Sequence, residues 1–228
     1  MSVTNSKSPL LYVEGTADLH VIAALLKRRG LNMDDGQRPV SIETSNAGKK
    51  GASGVRPLLD LMTDAIRNAT DKPIGFVLDI DLKTQDRWNS VCSKLKAARL
   101  LPPAACPASG YIDRVPDYPH SVGVWMMPDC RQDHGTLEHL LQTLIPTGNP
   151  LWIHAEDSTK IARDKGAGFR DVDLMKAKLH CWLAWQSTPG QPYGMAITSK
   201  FFGTDSPEAI AFLRWVKTLF QLDSLNLP

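Results

Sequence analysis

Four acids stand where a strand gives way to a turn. Glu14 follows the apolar run "LLYV" and precedes Gly15 in "YVEGTAD". Asp79 and Asp81 close "PIGFVLDID", and Asp129 closes "SVGVWMMPD" (121–129). Carboxylates brought to one place repel each other, and the arrangement is costly unless a cation joins them. Mg²⁺, or Mn²⁺ in its place, suits that role. It is a hard ion that takes carboxylate oxygens and keeps waters for a substrate phosphate. Residues i and i+2 of a strand point the same way, so Asp79 and Asp81 can reach one ion if the chain stays extended through Ile80. A plainer reading stands beside this one: acids at strand ends often cap helices, and Glu14 is then a turn residue.

The acids share a site only if the elements before them lie in one sheet. Leu10–Val13 reads as a first strand, followed by a helix capped at Thr16 or Asp18 and running to about Arg29, with Gly30 suited to the left-handed position beyond its end. Gly15 is expected to let the chain turn sharply and leave the Glu14 carboxylate open. "PVSIE" (39–43) is a second strand, Val55 to about Asn68 a second helix, and "PIGFVLDID" a third strand whose unbroken apolar run suits burial on both faces. A helix from about Thr84 to Arg99, a Pro- and Ala-rich turn region, the strand 121–129 and the helix in "GTLEHLLQTLI" follow. Four strand–helix repeats argue for a doubly wound, Rossmann-like α/β fold: a mostly parallel sheet of about four strands flanked by helices. In such sheets ligands bind beyond the carboxyl ends of the strands, where these acids lie. Beyond Pro150 the pattern changes to helices at about 150–165, 171–186 and 207–220. The expected organisation is an α/β domain over 8–148 and a helical extension over 149–228, packed on the same core.

Bulk composition narrows the rest. The chain has 228 residues, 43% apolar and 22% charged, with a net charge of +2. That is ordinary for a globular protein, and a near-neutral chain does not announce a nucleic-acid binder through its overall field. Cys92, Cys106, Cys130 and Cys181 show no metal or redox spacing and read as free thiols of a reducing cytoplasm. The polar start "MSVTNSKSP" is unlike a signal peptide, and no segment approaches the length of a membrane span.

The pairing of Glu14–Gly15 after the first strand with Asp79 and Asp81 after the third resembles the TOPRIM family, found in topoisomerases, primases and the nucleases of the overcoming-lysogenization-defect group. The resemblance covers roughly residues 8–145. "GVWMMPDCRQDHGTLEHLL" and "KLHCWLAWQSTPGQPYGMAI" are similar to an uncharacterised prokaryotic TOPRIM-like family, which extends the likeness nearly to the carboxyl terminus. The resemblance implies Mg²⁺-dependent phosphoryl transfer on DNA or RNA, with Glu14 as general acid/base and Asp79 and Asp81 on the metal. It also implies one or two Mg²⁺ or Mn²⁺ ions, with further acids for the second. Glu138, one helical turn after Gly135, matches that kind of position, and Asp129 is another candidate. A role in defence against phage or mobile elements follows from the same analogy, as does dependence on a protein partner.

Other features carry two readings each. The loop "NAGKKGASGVR" offers Lys49 and Lys50 between glycines ahead of a helix, which suits a phosphate but lacks the Walker spacing. Lys83 has a similar reading, and plain solvation accounts for all three lysines. Trp182 and Trp185 could stack on bases, though core packing explains such a pair more simply. His134 and His139 flank Glu138 without zinc spacing and read as structural. Four tyrosines and little spare length argue against covalent strand passage. Two other functions remain: a TOPRIM-like binding or regulatory module that does not cleave, and an Asp-x-Asp enzyme on a nucleotide-sugar or phosphoester. The last leaves the "VEG" motif unexplained.

Overall fold

The computed structural model describes residues 9–34, 36, 38–45, 54–69, 71–114 and 120–228. Lys49 and Lys50 lie outside them. Strands β1 (Leu10–Val13), β2 (Ser41–Thr44), β3 (Ile74–Asp79), β4 (Tyr111–Arg114) and β5 (Ser121–Met127) form one sheet in the order β2-β1-β3-β5-β4. The pairs β1–β2, β1–β3 and β3–β5 are parallel, and β4 runs antiparallel to β5. Helices α1 (Thr16–Arg28), α2 (Val55–Asn68), α3 (Thr84–Ala97) and α4 (Leu137–Thr143) follow β1, β2, β3 and β5. The sheet thus grows outward from β1 in two directions, to β2 on one side and β3 on the other. The crevice above the carboxyl ends of β1 and β3 is the topological switch point where α/β sheets of this kind bind ligands.

The sheet is mostly parallel and flanked by helices, as expected, and has five strands where the pattern indicates about four. β4 escapes a reading by pattern because "YIDR" is four residues long, half of it exposed, and lies at the edge after a proline-rich run. The expected third strand is also too long. β3 stops at Asp79; Ile80 N–H still reaches Met127 O at 3.1 Å, but Asp81 turns aside to form an isolated bridge with Gly135. Asp81 has φ 62°, the left-handed region that aspartate tolerates better than most residues. Alternation of side chains therefore ends before the second acid of the pair. Gly15 is not a forced turn: its φ of −146° is ordinary extended backbone. Gly30, with φ 93°, does take the left-handed position after α1.

The remaining chain forms α5 (Pro150–Asp164), a short 3₁₀ turn (Asp171–Asp173), α6 (Leu174–Leu183), α7 (Tyr193–Thr198) and α8 (Pro207–Phe220). A single buried apolar cluster runs from Leu11 to Leu225 and includes residues from these helices. Pro146–Pro150 is thus a change of secondary structure and not a break in the core. The closest seat is that of α8. Gly75 and Gly123 are register partners on β3 and β5. A Cβ at Gly75 would lie 2.9 Å from Leu219 Cδ2, and one at Gly123 would lie 2.6 Å from the same atom and 2.9 Å from Trp215 Cζ2. The two glycines leave a trench in the sheet that α8 fills, and Trp215 Nε1–H donates to Tyr111 O at 3.1 Å. Trp182 is buried in the same core, packed on Phe202, while Trp185 is partly exposed and stacked on His154.

Filling the trench should unseat α8. Gly123→Val is expected to lower stability by about 1–3 kcal/mol through overpacking, read as a lower urea midpoint with loss of near-ultraviolet tryptophan ellipticity.

Candidate metal centre

The crevice is closed by a bond between its two main strands. Glu14 extends from the end of β1, and its Oε1 accepts the backbone N–H of Asp79 at 2.9 Å. Asp79 in turn accepts the N–H of Leu137, the first residue of α4, on Oδ1 at 2.9 Å. The Asp81–Gly135 bridge holds the loop before α4 against the end of β3, which brings Glu138 to the same place. Glu138 Oε2 accepts the Thr136 hydroxyl at 2.9 Å. Thr136 N–H donates to His139 Nδ1 at 3.2 Å, so that histidine secures the first turn of α4.

Two further residues belong here. Asp18, on the first turn of α1, is buried, and its Oδ2 accepts Gly15 N–H at 3.1 Å. Arg87, on α3, donates from Nε to Asp79 O at 2.8 Å and forms an ion pair with Asp81. Glu14, Asp18, Asp79, Asp81 and Glu138 thus share one crevice with, among the described residues, a single guanidinium in contact.

Their titration records the crowding. Burial raises Glu14 to about 7; the Asp79 N–H and Arg87 oppose the rise, and the charges of Asp18 and Asp81 add to it. Burial also lifts Asp18 to about 6, with Glu138 contributing. Asp79 is held well above the ordinary carboxylate range, first by burial and then by the charges of Asp18, Glu14, Glu138 and Asp81. Asp79 is the centre of the cluster, since all four other acids act on it. The donor set is entirely carboxylate oxygen and its charge is poorly compensated, which fits Mg²⁺ or Mn²⁺ and not a soft metal. As the side chains stand, no three acids, histidines or cysteines among the described residues close on a common point as a ligand set. Several of the oxygens are engaged instead by backbone N–H groups and Arg87.

Asp129 is not part of this group. β5 ends at Met127 and Pro128 intervenes, so Asp129 is no longer a strand-end acid facing the crevice. It is 0% exposed. Arg131 claims both its oxygens, with Nε 2.9 Å from Oδ1 and 3.0 Å from Oδ2 and Nη2 also on Oδ2, and the Arg131 backbone N–H donates to Oδ1 at 2.9 Å. The expected convergence of Asp129 with the other acids is therefore replaced by a local ion pair. Lys83 precedes α3 with its side chain exposed and lines a shallow cavity of about 300 Å³ with Asp81, Arg87 and Ser90.

Sequence reading passed over Asp18 and Arg87. Asp18 carries a signal, because it lies one helical turn after Glu14 in "EGTAD" and so faces the same end of β1, although the sequence alone points only to a helix cap there. Arg87 carried none, since its place depends on how α3 crosses the end of β3.

Fold and crevice together define an α/β protein with a five-stranded, mostly parallel sheet and an acid cluster at its switch point. The chain belongs to the family described as "Protein of unknown function (DUF3226)", whose model matches residues 8–221, across both the sheet and the helices after Pro150. No curated protein and no solved structure matches it. Among the described residues no helix is long and apolar enough to cross a membrane.

The raised acids predict how stability follows pH. A carboxyl with a higher pKa in the folded than in the unfolded chain binds its proton more tightly when folded, so stability is full at low pH and falls as pH rises through that interval. For Glu14 the interval runs from 4.5 to about 7, and the loss is on the order of 3 kcal/mol. Without divalent metal, the protein should melt lower at pH 8 than at pH 5. Mg²⁺ should recover much more at pH 8 than at pH 5. A metal-free melting temperature that does not change between those pH values would contradict the electrostatic account.

Proposed function

We propose that the crevice is a divalent-metal site for phosphoryl transfer, and that the protein is a TOPRIM-like, Mg²⁺-dependent nuclease acting on DNA or RNA. The observation that carries this reading is the gathering of Glu14 and Asp79 at the ends of β1 and β3, with Asp18, Asp81 and Glu138 around them. Asp79, Asp81, Asp18 and Glu138 supply the oxygens for one or two ions. A bound ion would polarise the scissile phosphate and acidify a water.

Glu14 handles the proton in this reading. A carboxyl that titrates at about 7 is half ionised at neutral pH, so it can take a proton from the attacking water and return one to the leaving oxygen. Its bond to Asp79 N–H fixes the direction it faces. Arg87 holds the end of β3 by its bond to Asp79 O and limits the charge on Asp81. Lys83, which lines a shallow cavity with Asp81 and Arg87, suits contact with a neighbouring phosphate. Defence against phage or mobile elements, a cytoplasmic location in keeping with four free thiols, and a protein partner complete the proposal.

A second reading is a metal-binding or regulatory module without cleavage. The ion pair that holds Asp81 on Arg87 favours it, because that acid is engaged within the protein.

Cleavage decides between them. Purified protein incubated with supercoiled, linear and single-stranded DNA and with RNA, under Mg²⁺ or Mn²⁺, should cut at least one substrate. Glu14→Gln should slow cutting by about 10²–10⁴-fold, the usual worth of a general acid or base, and Asp79→Ala should abolish it. Cutting that survives in both variants would refute the assignment. Metal binding without cutting of any substrate would favour the module.

A further inference from the structure

A cavity of about 800 Å³ lies at the edge of the sheet, between β4, α8 and the segment 101–110. That volume is in the range of pockets that take small organic ligands. Its walls are held from several sides. Trp88 Nε1–H donates to Pro103 O at 3.0 Å and Gln85 Nε2–H to Ala104 O at 3.1 Å, so α3 fixes the segment 101–110. Gly110 takes φ 79° and leaves room for Trp215, whose Nε1–H is bonded to Tyr111 O. Leu101 and Ile112, both exposed, supply apolar lining. Two of the charged residues that line the cavity are already engaged. Arg131 shares its charge with Asp129, and Asp113 accepts the Tyr111 hydroxyl at 3.1 Å and the Arg114 N–H at 2.8 Å. Arg214 of α8 is exposed and has no ion pair among the described residues. A guanidinium without a partner beside an apolar wall suits a ligand with a phosphate and an apolar part.

One loop joins this cavity to the acids. Arg131 lines the cavity, and Gly135, four residues on, is bridged to Asp81. Four residues reach about 14 Å at most, which is the length of about four nucleotides at the ~3.4 Å rise of a strand. Between those points the loop is fixed to α3: the Thr84 hydroxyl donates to Gln132 O, and Thr84 N–H donates to Asp133 O at 2.9 Å. We propose that the cavity is a nucleotide subsite for the strand whose phosphate lies at the acids. The strand crosses the β5–α4 loop, Arg214 binds one of its phosphates, and a base or sugar rests on Leu101 and Ile112. A base stacked within a duplex cannot turn into such a cavity, so the substrate is a single strand or a single-stranded end. This inference rests on the crevice being a site for a nucleic-acid phosphate.

Binding reads the subsite without any need for turnover. The anisotropy of a labelled oligothymidylate about twelve nucleotides long is followed with Mg²⁺ in a Glu14→Gln background. Adding Arg214→Glu, or Thr218→Glu one turn further along the same wall, should weaken binding about tenfold, and Arg214→Glu should lower the salt slope by about one. Arg131 is left intact because its loss would strand the buried Asp129. Melting temperatures should not change, and Lys160→Glu on the exposed side of α5 should bind as the background does. Unchanged affinity in Arg214→Glu would overturn the proposal. Equal weakening by Lys160→Glu would overturn it too, because the effect would then be one of overall charge. Thymidine monophosphate bound as tightly as the strand would also overturn it, since the cavity would then serve a free nucleotide. Wild type that binds the strand through Arg214 but cuts nothing would refute the nuclease and leave the subsite standing. Undiminished cutting by Arg214→Glu in the otherwise wild-type chain would refute the subsite and leave the nuclease standing.

Discussion

Five carboxylates cannot share a low-dielectric crevice as five charges when, among the described residues, only Arg87 is in contact to offset them. The chain meets that constraint by several means. Backbone N–H groups of Gly15, Asp79 and Leu137 each point at a carboxylate. Arg87 takes Asp81. Protons are retained where these are not enough, which is why Glu14, Asp18 and Asp79 are all pushed upward. Each of these compromises is one that a divalent cation would relieve. An arrangement built only for stability would more simply place apolar residues there.

The same constraint explains why the elements around the crevice are tied so closely. The Glu14–Asp79 bond crosses from β1 to β3, the Asp81–Gly135 bridge fixes the loop before α4, and Thr136 sets both Glu138 and His139. The helices after Pro150 then pack onto this framework. α8 fills the Gly75–Gly123 trench on one face, and the α7 residue Gly194 sits against His20 of α1. Family membership over residues 8–221 agrees with a core that does not stop at Pro150.

Much of this was legible in the residues themselves. Long apolar runs such as "PIGFVLD" and "SVGVWMM" declare buried parallel strands, and the acids at their ends follow from where those runs stop. Four features were hidden for distinct physical reasons. β4 is too short and too exposed to show a pattern. α7 lies within "QPYGMAITSK", where proline and glycine suggest a loop, yet Gly194 is there because α1 leaves no room for a side chain. Asp81 departs from the strand because Gly135 offers a bridge that only the folded chain presents. Asp129 looks like its counterparts in sequence but sits beyond Pro128 with Arg131 two residues away, and a local ion pair wins.

The central claim is that these acids form a metal site, and anomalous diffraction from crystals soaked in Mn²⁺ tests it most directly. The account predicts an anomalous peak at Asp79, within about 2.0–2.6 Å of carboxylate oxygens, with Asp18, Asp81 or Glu138 completing the set and Glu14 beside it. A fully soaked crystal with no peak in the crevice, or with its peak at Asp129 instead, would contradict it.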